Sequence, residues 1–319
     1  MRLIERLALF AGTLSFALAS HAAAPEVGGQ VPGWFRLQLG KFEVTALNDG
    51  IFELPMDKLL RDTTPQAVEQ ALQHDFLGLP VTTSVNGFLV NTGAKLVLID
   101  TGTGAPGPAV GRLVANLEAS GYRPEQVDEI LITHMHGDHI GGLTHDGQRV
   151  FPNAVVRMAK AEADYWLSES AMAKAPPDKR DGFKTAMAIL KPYVEAGRLK
   201  PFDGDTEVEP GIRAVVTAGH TPGHAIYRIA SEGKTLVLWG DLIHSASVQF
   251  AHPEVAIGFD SDSPTAIVQR KKAFAEAAQT GELDGAAHLS FPGLGHLRVK
   301  GSGYEWVPLN WPGNAPAKP

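Results

Sequence analysis

The segment Thr133-His134-Met135-His136-Gly137-Asp138-His139 constrains this chain more than any other. Three imidazoles and a carboxylate follow directly on the short apolar run Glu129 to Thr133, which reads as a strand. The chain has no cysteine, which excludes disulfides, thiolate zinc sites, iron–sulfur clusters and cysteine nucleophiles, so a bound metal must be held by His, Asp or Glu. Imidazole nitrogen and carboxylate oxygen suit zinc and similar divalent ions. His134 and His136, two apart, share one face of an extended segment. Gly137 lets the chain turn and present Asp138 and His139 as a second set, and Gly141-Gly142 permits close backbone approach to it.

More ligands stand in matching places. His220 follows a predicted strand at 213–217 and begins Thr221-Pro222-Gly223-His224; Asp241 follows Thr235 to Trp239 after Gly240; His296 ends the glycine-rich stretch Phe291-Pro292-Gly293-Leu294-Gly295-His296. Each comes after a β-segment, as His134 does, and sites in layered α/β folds form beyond strand ends. The seven groups suit two metals: His134, His136 and His220 on one, Asp138, His139 and His296 on the other, with Asp241 bridging. His145, His224 and His252 lie near motifs but outside this set. His288 falls on a predicted short strand at 285–288 and reads as a buried hydrogen-bonded residue, not a ligand.

The rest of the pattern is strands then helix, twice. Phe35 to Leu39 and Phe42 to Leu47 alternate around Gly40 as a hairpin, 57–78 has helical spacing, Thr83 to Val90 and Leu96 to Ile99 are strands, and Leu113 to Ala119 is a helix closed by Gly121. Ala154 to Met158 is a strand, with helices at 159–169 and 182–196. Strands at 213–217, 225–230 and 235–239 precede a long helix at 264–279. Two such halves predict an α/β (α+β) fold, a four-layer αββα sandwich in a single domain over 35–310, with sheet packed on sheet and helices outside. Residues 25–34 are expected to be a loose arm and 311–319 a disordered tail.

The HxHxDH pattern followed by a later His, Asp and His resembles the metallo-β-lactamase superfamily, and Leu96-Val97-Leu98-Ile99-Asp100-Thr101-Gly102 resembles its first motif. The likeness covers about 33–310. It implies a dinuclear site between two sheets, two divalent ions, zinc first among them, and Asp100 holding the far ring nitrogen of a metal-bound histidine. Within the superfamily, His288-Leu289-Ser290-Phe291-Pro292-Gly293-Leu294-Gly295-His296, Gly240-Asp241-Leu242-Ile243 and Phe274 resemble the methyl parathion hydrolase group, with its lactonases, aryl esterases and phosphotriesterases.

That resemblance implies hydrolysis by a metal-bridged hydroxide, available at neutral pH because metal ions lower the pKa of water to about 7. Asp138, Asp241 and His244 then stand at the chemistry, Asp241 as an ionised ligand. The substrate pocket is expected from Leu59, Trp166, Phe183, His244, Ile257 and Phe259. Leu59 stands where the organophosphate-hydrolysing relative has Arg, and His244 where it has Leu. These departures favour lactones and aryl carboxyl esters, with phosphotriester hydrolysis as a side activity or as the alternative reading, and β-lactam hydrolysis behind both. Flavin-linked iron members, ribonucleases and a non-catalytic metal-binding protein fit less well.

Lys+Arg 28 against Asp+Glu 35 gives −7, and the longest basic run is Arg270-Lys271-Lys272, so no basic stripe points to nucleic acid. The expected partner is a small ester or lactone, and a homodimer is compatible with the sequence. Arg2 and Arg6, the apolar run Leu7 to Ala19 and the small residues up to Ala24 read as a cleaved export signal over 1–24, ending at Ala22 or Ala24. The mature protein is then expected in the periplasm or secreted, without a membrane anchor.

Overall fold

Two short stretches of parallel pairing organise the structure. In the first sheet, strands Trp34–Leu39, Phe42–Leu54, Val81–Asn91 and Leu96–Ile99 run antiparallel in that order, and Leu96–Ile99, Glu129–Leu131 and Val155–Arg157 then pair in parallel. In the second, Thr206–Glu209, Ile212–Val216, Ala225–Ser231 and Lys234–Leu238 run antiparallel, Leu283–Gly285 joins Lys234–Leu238 in parallel, and the hairpin Leu294–Lys300 with Gly303–Pro308 closes the edge. Parallel pairing requires crossovers that return over a sheet face. Helix Leu113–Ala119 lies in the crossover between Leu96–Ile99 and Glu129–Leu131, and helix Ser263–Thr280 in that between Lys234–Leu238 and Leu283–Gly285.

The coordinates are a computed structural model that describes residues 24, 26, 28–104, 107 and 109–311. The expected export signal and most of the tail lie outside the described residues. The described residues from Pro32 to Trp311 belong to one compact unit. Among the described residues, no helix is long and apolar enough to cross a membrane.

Three layers of core explain the order of the sandwich. Alternate residues of both sheets meet in the middle, Leu37, Val44, Phe88, Val90, Val97 and Ile99 facing Ile212, Ala214, Tyr227, Ile229, Leu236 and Leu238. On the outer face of the first sheet, Leu98, Ile130 and Val156 pack beneath Leu117 and, from helix Arg180–Glu195, Phe183, Ala186 and Leu190. On that of the second, Val237 and Trp239 pack beneath Phe274 and Ala277 of helix Ser263–Thr280. The result is the expected αββα layering. That helix starts at Asp262, whose side chain accepts from Thr265 N, and stops at Gly281, which takes a left-handed φ of 65°. Its Arg270 is not a surface cation: it is buried and donates to the carbonyls of Leu242, Pro253 and Val255.

A satellite core lies apart from the sandwich. Met56, Leu60, Val68, Leu72, Val248, Val255 and Ile257 cluster under helix Pro65–His74, where Leu60 and Arg61 pair with Ile257 and Ala256.

Candidate metal centre

The carboxyl ends of the parallel strands carry the chemistry. His134 comes three residues after Leu131, Asp241 three after Leu238 and His288 three after Gly285. Asp100 follows Leu96–Ile99 directly and sits at φ 58°, an uncommon conformation for a non-glycine residue that aspartate tolerates. There its carboxylate accepts from Thr133 N at 2.8 Å, Thr133 Oγ1 at 2.8 Å and His139 Nδ1 at 2.8 Å.

Three overlapping groups of side chains converge. His134, His136, His220 and Asp241 place one ligand atom each within 4.8 Å of one another, Asp138, His139 and His288 do the same, and so do Asp241, His244 and His288. His136 Nδ1 stands 3.0 Å from His134 Nε2 and 3.1 Å from His220 Nε2. Asp241 reaches the first two groups: Oδ2 is 3.3 Å from His220 Nε2 and 3.2 Å from His288 Nε2, and Oδ1 is 3.2 Å from His139 Nε2. Asp138 Oδ2 lies 3.7 Å from His139 Nε2 and 3.5 Å from His288 Nε2.

Hydrogen bonds on the far side of each ring fix where the lone pairs point. His134 Nδ1 meets Thr133 Oγ1 at 3.1 Å, a hydroxyl whose proton goes to Asp100. His139 Nδ1 donates to Asp100, His220 Nδ1 to Asp260 at 2.9 Å, and His288 Nδ1 to the Ser84 carbonyl at 3.0 Å. With those nitrogens holding their protons, the Nε2 atoms of His134, His139, His220 and His288 are left facing the Asp241 carboxylate, and each takes either a proton or a cation there. His139 Nε2 and Asp241 Oδ1 are buried without a hydrogen-bond partner. Acceptors facing acceptors out of water repel, and cations between them reverse the sign. Without cations, protons must supply that charge. Burial lowers His136 to about 3, with His220 adding to it, so that ring is neutral. Burial also works against charge on His220, but Asp241 and Asp260 carry it up to about 9. Burial opposes ionisation of Asp241 too, yet His139 and His288 hold it well below the usual carboxylate range. The pocket demands positive charge, and its donor set fits two divalent ions.

One expected ligand is displaced. His296 is not at this centre: its Nδ1 faces the carbonyls of Gly281 at 3.2 Å and Glu282 at 2.9 Å. Leu294–Lys300 is a strand, not a loop, and it carries His296 away from the strand ends where the other ligands gather. His288 occupies the place instead. The strand before it stops at Gly285, so His288 belongs to the loop at the carboxyl end and not to the strand on which it was expected. The structure brings His134, His136, Asp138, His139, His220 and Asp241 together, with Asp100 behind His139.

Two supporting groups carried no clear sequence signal. Asp260, which orients His220 and lies 3.9 Å from Arg270, sits in a loop without a motif. His224 accepts from Asp241 N at 3.1 Å through Nε2 while Nδ1 meets Thr217 Oγ1 at 2.8 Å, so it shapes the turn that delivers Asp241.

The expected pocket divides. Trp166 packs edge-on to His136, ring centroids 5.8 Å apart, and the partly exposed Phe259 lies 5.7 Å from His244. Phe183 and Ile257 are 0% exposed and sit within packed cores. Phe183 backs Trp166 from within the core at 4.8 Å, and Ile257 belongs to the satellite core, against which Leu59 also packs. His244 is inside the cluster, with Nε2 3.1 Å from Asp241 Oδ2, its ring stacked on His288 and Nδ1 without a partner. A groove of about 510 Å³ opens beside Asp138, between Phe52, Thr103, Gly104, Thr185 and Ile189.

Comparison with known proteins agrees with this geometry. Residues 81–283 match the family profile described as the metallo-beta-lactamase superfamily, and the chain belongs to that superfamily. It is similar to a hydrolase of the beta-lactamase superfamily, AbOPH, with 39% identity over 88% of this chain and 99% of that one and a TM-score of 0.85. It is also similar to AidC, a dizinc quorum-quenching lactonase solved with the product N-hexanoyl-L-homoserine, with 30% identity over 87% and 98% of the two chains and a TM-score of 0.81. An N-acyl homoserine lactonase of Bacillus cereus is 29% identical over 161 residues, 50% of this chain and 56% of that protein. The chain thus spans about half the length of the curated relatives it matches.

Proposed function

We propose that this protein is a dinuclear metal-dependent hydrolase, with zinc the expected ion, that opens lactones and cleaves aryl carboxyl esters. The observation that carries the reading is the convergence on Asp241 of the Nε2 atoms of four histidines whose Nδ1 atoms are held from behind. His134, His136 and His220 would hold one ion, Asp138, His139 and His288 the other, and Asp241 both. When bound, the ions supply Lewis acidity and lower the pKa of water toward neutrality. The protein's part is to hold its ligands neutral or anionic through hydrogen bonds at their far atoms, and to keep Asp241 ionised. His244 donates to Asp241 and fixes its carboxylate. Trp166 and Phe259 form apolar walls at two sides of the cluster, and the groove beside Asp138 offers room for an acyl or aryl group. The likeness to AidC supports lactones over other esters. We further propose export, with 1–24 removed.

Metal analysis of the mature protein, with a panel of phenyl ester, aromatic lactone, acyl-homoserine lactone, phosphotriester and β-lactam, tests the reading. Two metal equivalents are expected, with kcat/KM highest on a lactone or aryl ester. Less than one equivalent in fully active protein overturns the metal assignment. A phosphotriester preferred to every ester and lactone overturns the substrate class alone.

A further inference from the structure

Helix Lys160–Trp166 carries a carboxylate that no motif marks. Glu162 is 0% exposed. Its Oε1 accepts from the Met135 backbone N–H at 2.8 Å, and its Oε2 from the Thr221 hydroxyl at 2.8 Å and the Gly223 N–H at 2.8 Å. Met135 lies between His134 and His136, while Thr221 follows His220. The two loops arise from different sheets, so one side chain straddles the two halves of the sandwich at the level of the ligands. A second link, from Ala225 N to the Thr133 carbonyl at 2.9 Å, lies at the base of the same loops.

The surroundings are shaped for that contact. A Cβ on Gly223 would stand 2.2 Å from Glu162 N, so glycine there lets the loop lie against the helix. One helical turn on, Trp166 shares the Glu162 face and packs edge-on to His136. Both backbone N–H groups can only donate, so both carboxylate oxygens must accept. Burying such a group is worthwhile only if its bonds are kept.

We propose that Glu162 is a positioning residue that presets the spacing of His134, His136 and His220, and thereby sets the metal affinity of that group and not of the group formed by Asp138, His139 and His288. The proposal rests on the dinuclear reading. It assigns no contact between Glu162 and substrate. Its effect passes through the two loops, as partners of metal ligands commonly act.

The test is competitive titration of metal-stripped protein with Zn²⁺ against a chromophoric chelator, repeated with Co²⁺ for its absorption bands. Glu162→Gln keeps the size but turns an amide NH2 toward a donor, so one loop loses its acceptor. One of two sites should weaken about tenfold or more while the other stays within threefold. Thr221→Val, which removes a single bond, should weaken the same site by less. In a His288→Ala background, which leaves the His134 group, Glu162→Gln should weaken the remaining site. Equal weakening of both sites, or unchanged affinities, overturns the proposal, as does a fall in melting temperature of the metal-free protein with both affinities intact. If Glu162→Gln does not fold, Thr221→Val decides alone by the same criteria. A wild type that takes up no metal overturns the dinuclear reading itself, and this proposal with it.

Discussion

A neutral imidazole serves as a ligand when its second nitrogen is held, and the Ser84 carbonyl does this for His288. His296 also has its Nδ1 held, by the Gly281 and Glu282 carbonyls, but strand Leu294–Lys300 carries it away from the cluster. His288→Ala should therefore lower kcat/KM by about 100-fold or more and bring metal content below two equivalents, while His296→Ala leaves both within a few fold; steady-state kinetics with metal analysis decide between them. A different residue limits stability. Asp284 is 0% exposed, and neither carboxylate oxygen has a hydrogen-bond partner. Burial, helped by Glu282, pushes its carboxyl up to about 8. The folded chain thus keeps a proton that the unfolded chain releases near pH 4, and stability falls as pH rises from about 4 to about 8. Asp284→Asn should remove that loss, on the order of 4 kcal/mol at pH 7. Its gain in melting temperature over wild type should grow between pH 5 and pH 8; a gain constant across that range would contradict the assignment.

Local elements were legible in the sequence where their signal is local. The His-rich loop, the motif around Asp100 and the hairpin at Gly40 each carry their reason within a few residues. The edge hairpin was not legible, because its glycines imitate a loop. A Cβ on Gly295 would stand 2.7 Å from the Trp306 ring, so glycine there permits close packing inside a strand. Reading Phe291 to His296 as a loop put His296 at the metals and left His288 in a strand. Ile257 was misplaced for a related reason: its partner Leu60 is remote in sequence, and no periodicity announces a two-residue pairing. The helix that covers this satellite core begins at Thr64, whose side chain accepts from Ala67 N. Thr64→Ala should cost about 1 kcal/mol, a fall of roughly 2–4 °C in melting temperature, with kcat/KM unchanged. Loss of activity at full stability would instead place this helix in the catalytic apparatus.

Across the whole molecule, the centre gathers buried carboxylates that only protonated histidines or bound cations balance. Asp100, Asp241, Asp260 and Glu162 are all buried around it, and Arg270 stands near Asp260 alone. Metal ions therefore belong to the folded state's charge balance as much as to its chemistry. Stripping them with a chelator should lower the melting temperature, and zinc at 100 times Kd should restore about 2.7 kcal/mol per site. Calorimetry with and without metal checks this, and identical transitions would show the site to be neutralised by protons instead.

The parallel pairing of Leu283–Gly285 with Lys234–Leu238 has a consequence for biosynthesis. A ribosome releases the His-rich loop early, but His288 and the strand that places it emerge only after the long crossover helix. A half-made chain can offer the first three histidines to any passing ion, yet cannot close both sites. The two groups are thus both completed only after strand Leu283–Gly285 and the loop carrying His288 have docked.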